Sequence, residues 1–377
     1  MGCLQPGIDP VFLSLLSHAS HVPITAHGII VGGTQAGAAL GSLAVWRLGP
    51  LLPHRAVIVA ALVALACSLA TAGFNDTTAL VPIRCCYGLA MGMVYAYAMA
   101  AYATRKPTRA FGAVFLIQLV LSMLVSLVLP EVGHAVSGDI ALALLALAPA
   151  SALGALLLMT KHDAERSAAI AETGATVPMA GWALAAATFW FICATMLIWS
   201  FSAGLATTAG IPDRTIGQAV AIGSISGALT AFAVMRERLL VPLSVTGLLA
   251  GAALVSPIIF TVPGADAAFV VSIVLLNIGS TAIIIRCSGL AAATSTNRRF
   301  RTFVACTHSL GLIAGPALGT LMMMLWGSSG LLAGLLFALA AGLGSVIWAS
   351  ISAAETRIGV SGTVAADVGR TAQIALD

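Results

Sequence analysis

The sequence predicts an all-α polytopic membrane protein. Three observations carry that prediction. Its 377 residues are 60% hydrophobic and only 8% charged, where a soluble domain carries roughly 25% charged residues. Apolar runs long enough to cross a bilayer recur along the whole chain. Lysine and arginine gather in alternate loops, as orientation in a membrane requires.

The apolar runs fall at 25–46, 56–74, 79–103, 110–130, 140–159, 182–206, 214–235, 240–261, 267–291, 302–325 and 329–351. These make eleven full spans, and the opening MGCLQPGIDPVFLSLLSHASHVP is expected to be a twelfth, shortened first helix. Its residues 1–17 reach only about 25 Å, against a hydrocarbon core of ~30 Å, and Gly7 and Pro10 weaken it as a helix. It is expected to run toward His18 with Asp9 near mid-membrane. A start codon assigned too late is the expected cause, since no basic residue precedes Arg47.

Fourteen of the 17 basic residues lie in one set of loops or in the tail. They are Arg47 and Arg55; Arg105, Lys106 and Arg109; Lys161 and Arg166; Arg236 and Arg238; Arg298, Arg299 and Arg301; Arg357 and Arg370. The opposite loops hold Arg214 among Asp76, Glu131, Asp139, Asp213 and Asp266. The first set is therefore expected in the cytoplasm, together with the C-terminus. Trp46, Trp182, Trp326 and Trp348 fall at span ends, where interfacial belts form. Trp190 and Trp199 fall within a span, half a turn apart, so one is expected at a cavity and the other against a neighbour. Trp199, followed by Ser200, is the preferred cavity residue.

Enzymatic and metal chemistry have no foothold. The seven cysteines lie in apolar stretches without metal-ligand spacing, and no Walker loop, HExxH or GxSxG element occurs. No cofactor, metal site or nucleic-acid partner is expected.

The two halves repeat at an offset near 189. V-P-I-T-A-H-G (22–28) meets I-P-D-R-T-I-G (211–217), pairing Pro23 with Pro212, Gly28 with Gly217 and Arg47 with Arg236. Arg109-x-Phe111 meets Arg301-x-Phe303. The polar stretch 160–180 lies between the copies as a linker. The expected organisation is a six-helix bundle over 1–159, a linker over 160–180, a second bundle over 181–353 and a tail over 354–377. Parallel repeats of this kind occur in secondary transporters.

Short motifs add a resemblance. Arg84-C-C-Y-Gly88-L-A-M-Gly92, in the fourth helix, resembles motif B of the major facilitator superfamily. G-S-L-A-V-W-R-L-G-P-L-L-P-H-R (41–55) resembles that family's motif A loop, with Val45-Trp46 where the family has Asp-Arg and with no acid. Gly311-L-I-A-Gly315-Pro316-A-L-Gly319 is similar to its motif C, displaced to the eleventh helix. The resemblance implies two six-helix bundles rocking about a cavity lined by helices one, four, seven and ten. It also implies a proton or ion gradient as the drive. In it Arg47, Arg55 and Arg236 would be gating-loop residues. Asp9 would be a proton-coupling acid beside Arg84.

The candidate substrate residues follow from rarity. Arg84 and Arg286 are the only basic residues inside spans, where a charge usually faces a cavity or a partner. All four tyrosines lie on one helix, and Tyr87, Met91 and Tyr95 fall on or beside the face of Arg84. Asn277, Ser280 and Thr281 form a polar patch half a helix turn from Arg286, so Asn277 and Arg286 cannot both face the cavity centre. His308 is a further proton-carrier candidate. Gln118 and Ser122 are expected to bond between helices. His18, His21 and His27 cluster near the outer end of the first hairpin and are expected to be solvated.

The predicted function is a secondary transporter of a small organic solute, anionic if both arginines face the cavity. Export of amphipathic or toxic compounds is the alternative, and a non-transporting sensor or inactive paralogue a second one. The expected setting is a monomer in the cell's inner membrane, with the lipid bilayer, a small-molecule substrate and a proton or other ion as its partners.

Overall fold

The computed structural model describes residues 5–20, 22, 24–49, 52–102, 106–158, 176–236 and 241–374. Helices account for nearly all of it. In order they are α1 (Gln5–Ser20), α2 (Ile24–Leu48), α3 (His54–Gly73), α4 (Thr77–Tyr102), α5 (Pro107–Ala135), α6 in two pieces (Gly138–Leu144 and Leu147–Leu158), α7 (Met179–Thr208), α8 (Asp213–Met235), α9 (Leu243–Phe260), α10 (Asp266–Ala293), α11 (Arg298–Trp326) and α12 (Ser328–Ile374). Eleven are long and apolar enough to cross a bilayer, α6 counting as one, Gly138–Leu158. The sixteen residues of α1 fall short of the ~20 that a span needs. It nevertheless continues through Gly7 and Pro10 as one helix.

The break in α6 follows from Pro149. A proline lacks the N–H that would bond the carbonyl four residues back, and its ring crowds that carbonyl. The displaced group is that of Leu145, where the helix turns off before restarting at Leu147. Asp76 starts α4: its carbonyl accepts from the Leu80 amide at 2.9 Å, and its carboxylate accepts from the amide and hydroxyl of Thr78. Those bonds hold the exposed Asp76 carboxyl below the usual carboxylate range.

Glycine sets the tightest packing. Side chains at Gly37 and Gly41 of α2 would strike the α4 backbone at Cys85 and Leu89. Side chains at Gly88 and Gly92 of α4 would strike the α2 backbone at Thr34 and Ala38. Two G-x-x-x-G pairs thus let α2 and α4 meet backbone to backbone, as small residues do between membrane helices. The motif that resembles the family's motif B is, in this structure, a packing seam. The glycines of the motif C-like stretch act the same way: Gly311, Gly315 and Gly319 seat α11 on Ile192, Cys193, Leu197 and Phe201 of α7.

Helices α1–α6 pack among themselves, as do α7–α12, and the two groups meet where α2 and α4 touch α11 and where α5 touches α8 and α10. The closest of these junctions lie toward the arginine-rich helix ends. Ser42 of α2 bonds Ser309 of α11 at 2.9 Å, and the Cys306 thiol donates to the Ser42 carbonyl at 3.0 Å. Trp46 of α2 packs on Phe303 of α11 with ring centroids 5.5 Å apart. Phe303 and Phe300 also pack on Trp182 of α7. Gly112 of α5 faces Met235 of α8, and Thr108 lies against Gly289 of α10. At the opposite helix ends, side chains at Gly28 of α2 or Gly217 of α8 would meet nothing within 4 Å.

Candidate functional site

Between the two groups of helices lies a cavity of about 660 Å³, counting its open mouth. Gln118 and Ser122 enter it from α5, Thr195 and Trp199 from α7, and Asn277, Ser280 and Thr281 from α10. His308 enters from α11, Ser224 from α8 and Gly7 from α1. The remaining wall is apolar, with Phe115, Met196, Leu276 and Leu312 among it. The lining helices are thus one, five, seven, eight, ten and eleven. Among the described residues none comes from α4, which the family resemblance placed at the cavity. The glycine seam holds α4 against α2 and turns its chemistry into the first helix group.

Two sequence-predicted residues are brought together here, Trp199 and Asn277, along with the proton-carrier candidate His308. Trp190, half a turn away, packs edge-on against Phe337 of α12. The α10 patch satisfies part of itself: the Asn277 amide donates to the Ile273 carbonyl at 2.9 Å, and the Ser280 hydroxyl to the Asn277 carbonyl at 3.4 Å. Thr195 likewise donates to the Phe191 carbonyl.

The α5 and α11 groups do not. Gln118 Oε1, Ser122 Oγ and His308 Nε2 are buried and have no hydrogen-bond partner among the described residues. The expectation that Gln118 and Ser122 bond between helices is not met. Gly7 of α1 lies against Ser122, and its lack of a side chain brings α1 close there without supplying a donor. His308 is held between Tyr95 of α4 and Phe115 of α5, with ring centroids at 5.7 and 5.4 Å. Gln118 and Ser122 could have been weighed as cavity residues from the sequence. They are four apart, so they share a helix face, and Gln118 is the only amide in the stretch 110–130.

Arg84 is elsewhere. It is 2% exposed, deep in the first helix group. Its guanidinium carbon stands 4.6 Å from the Phe12 ring centroid and 4.3 Å from that of Tyr87, and Nε donates to Thr34 Oγ1 at 3.3 Å. Two aromatic faces take the place of solvent around the cation. Asp9 of α1 lies within electrostatic reach of both Arg84 and Tyr87. Met91 and Tyr97 are buried with Tyr87 in a core that includes Val57 and Ala61 of α3 and Leu156 of α6. Tyr102 is 63% exposed. The expected tyrosine wall of the cavity is therefore not assembled; only Tyr95 approaches the cavity, through His308.

Arg286 also lies outside the cavity. It is half-buried on the far side of α10, where Nη1 donates to Thr246 Oγ1 of α9. Asn277, 180° around the helix, takes the cavity position instead. Of the gating-loop candidates, Arg47 and Arg55 are exposed. Arg236 stacks on Phe232, with its guanidinium carbon 4.8 Å from the ring centroid. His27 is not simply solvated, since its Nε2 lies 2.7 Å from Ser17 Oγ. His21 and the side chain of His18 lie outside the described residues, as do Arg105, Lys161, Arg166 and Arg238.

No protein-family model matches the chain, and no curated protein matches its sequence. Solved structures do match. The human organic anion transporter MFSD10 (TETRAN) superposes with a TM-score of 0.66 at 13% identity, covering 92% of this chain and 97% of that one. The major facilitator superfamily proton:xylose symporter XylE, bound to 6-bromo-6-deoxy-D-glucose, superposes with a TM-score of 0.63 at 13% identity, covering 93% and 92%. In both cases more than nine tenths of each chain is matched. This chain is a multi-pass membrane protein with the fold of the major facilitator superfamily.

Proposed function

We propose that the chain is a secondary transporter of the major facilitator type, moving a small organic solute by alternating access. The observation that carries this reading is the cavity's position. It lies between two groups of helices that meet through Ser42–Ser309 and Trp46–Phe303 at the arginine-rich ends, while Gly28 and Gly217 face open space at the other. A carrier caught open to one face has this form. The tight glycine seams within each group, α2 on α4 and α11 on α7, suit two bodies that rock as units. Residues 1–159 and 181–353 would be those bodies. The arginine-rich ends would face the cytoplasm, with the C-terminus inside, in a plasma (inner) membrane and as a monomer. His308, between helices of both groups, and Asp9, near Arg84, are the residues that would carry a coupled proton.

The two solved neighbours are an organic anion transporter and a proton:xylose symporter, which supports transport of small organic solutes without choosing between them. An anionic solute loses the support expected of two cavity arginines, because Arg84 and Arg286 stand outside it. The apolar wall around Trp199 favours a second reading, export of amphipathic compounds, which drug susceptibility on overexpression would separate from uptake.

Alternation can be tested without knowing the solute. Cys306 is fully buried at the α2–α11 junction, whereas Cys193 and Cys287 are buried on α7 and α10. In proteoliposomes treated with a membrane-impermeant maleimide, mass spectrometry should find Cys306 reacting at least about tenfold faster than Cys193 or Cys287 as the junction opens, a difference of ~1.4 kcal/mol in opening. Equal, negligible labelling of all three sites would mean that the junction stays shut and would defeat the transporter reading.

A further inference from the structure

We infer that the cavity takes an uncharged amphipathic solute, with an apolar body lying on Trp199 and hydrogen-bond donors reaching Gln118, Ser122 and His308. This rests on the transporter reading and adds the substrate class.

Charge comes first. None of the described lining residues is Asp, Glu, Lys or Arg, and His308 supplies the one imidazole among them. An ion brought into such a site gives up its hydration and finds no counter-ion, a cost of several kcal/mol. The cations and the acid that could have compensated are placed away from it: Arg84 between Phe12 and Tyr87, Arg286 on Thr246, and Asp9 near Arg84.

Hydrogen-bond sense comes second. Gln118 Oε1 accepts only. A neutral imidazole accepts at Nε2 when its proton is on Nδ1, and a serine hydroxyl does either. Among the described residues, all three atoms are buried without a partner. From α7 and α10, Asn277, Ser280 and Thr195 direct donors to their own helix backbones. Of the three, Gln118 Oε1 can be met only by a donor from the solute, while Ser122 and His308 can accept from the same solute. A carboxylate, which only accepts, meets Oε1 with the wrong sense. An ammonium group has the right sense but no counter-charge, which makes it the nearest competitor. A site with buried, unmet polar groups also discriminates strongly against solutes that lack the matching group.

The remaining wall sets the rest of the solute. Phe115, Met196 and Trp199 offer apolar and aromatic surface, and Trp199 presents a broad face for a flat ring.

The test uses the purified full-length protein and two matched sets of probes. One is tryptophol, indole-3-acetate and tryptamine; the other is phenyl β-D-glucopyranoside and phenyl β-D-glucuronide. Binding is read by equilibrium dialysis near neutral pH. The neutral member of each set should bind at least about tenfold more tightly than its charged partners, and Gln118→Leu should weaken it about tenfold, ~1.4 kcal/mol. Gln118→Glu, which keeps the side-chain volume, should move the preference of the first set to tryptamine. Tighter binding of indole-3-acetate, tryptamine or the glucuronide by the unmodified protein would overturn the inference. So would failure of both neutral members to bind up to their solubility limits, or indifference of all binding to Gln118→Glu. The Cys306 labelling above involves no solute. A failed charge order with intact labelling removes only the substrate class, while failed labelling removes the transporter reading itself.

Discussion

Replacing Gly88 by alanine adds one methyl group, and the structure says where it goes. The new Cβ would overlap the Thr34 carbonyl and crowd the Ala38 nitrogen, all backbone atoms of α2. No side chain can rotate away, so α2 and α4 must separate along the whole seam that Gly37, Gly41 and Gly92 also keep close. Overpacking of this kind costs about 1–3 kcal/mol, and an unyielding backbone argues for the upper end. The better helix propensity of alanine returns up to about 1 kcal/mol. A net loss of about 2 kcal/mol follows. Gly32→Ala is the matched control: it lies on α2, the partner helix of the seam, but its Cβ would meet nothing within 4 Å. It keeps the propensity gain without the clash, so the two variants should differ by about 3 kcal/mol. At roughly 2 °C per kcal/mol for a large chain, that is on the order of 6 °C in Tm. Thermal denaturation in detergent, followed by size-exclusion recovery, measures the difference. Equal midpoints for Gly88→Ala and Gly32→Ala would refute the backbone-contact reading of the seam.

Arg84→Lys should cost about 2 kcal/mol of stability, because an ammonium keeps the buried charge but loses the flat stacking between Phe12 and Tyr87. Arg84→Met should cost less, since it removes the buried charge while keeping the stem; denaturant titration in mixed micelles would rank the two, and the reverse order would count against the stacked-cation picture. Arg286→Ala should leave binding of the neutral probes within about twofold, whereas Asn277→Leu, at the cavity wall, should weaken it by about tenfold, or ~1.4 kcal/mol. Asp76→Ala should destabilise the start of α4, seen as faster amide exchange at Thr78. Because the Asp76 carboxyl is held below its usual range by the Thr78 bonds, its contribution is present above the ordinary carboxylate pKa. It should be lost as pH falls through the depressed one, and Asp76→Ala should remove that acid sensitivity.

The helices were legible from composition and hydropathy because the bilayer imposes one requirement on every span: an apolar length of about 20 residues with its backbone bonded internally. The break at Pro149 and the choice of Trp199 over Trp190 lay at the edge of what local pattern can reveal. Trp199 and Asn277 line the cavity, and helical periodicity could single them out because it separates opposite faces of a helix. Periodicity cannot say which face meets which neighbour. Arg84 shares a helix face with Tyr95, yet its end of α4 meets α1 and α2 while the Tyr95 level meets α5 and α11. Rarity within a span made Arg84 and Arg286 look like substrate ligands, but a buried cation can equally lie against aromatic rings or donate to a threonine on an adjacent helix. Gln118 and Ser122 looked like routine interhelical bonders because a polar residue in a span usually finds a partner. That theirs is missing is visible only once every neighbouring helix is in place.

Sequence alone thus determined that the chain crosses the membrane many times, roughly where each full span falls and which loops carry the positive charge. These properties depend on residues near one another in the chain and on a solvent that treats every span alike. Only the tertiary structure decided which polar groups are spent inside a helix bundle and which remain unmet in the cavity. That depends on pairs such as Arg84 with Phe12, Arg286 with Thr246 and His308 with Tyr95, brought together by backbone contact between helices far apart in sequence.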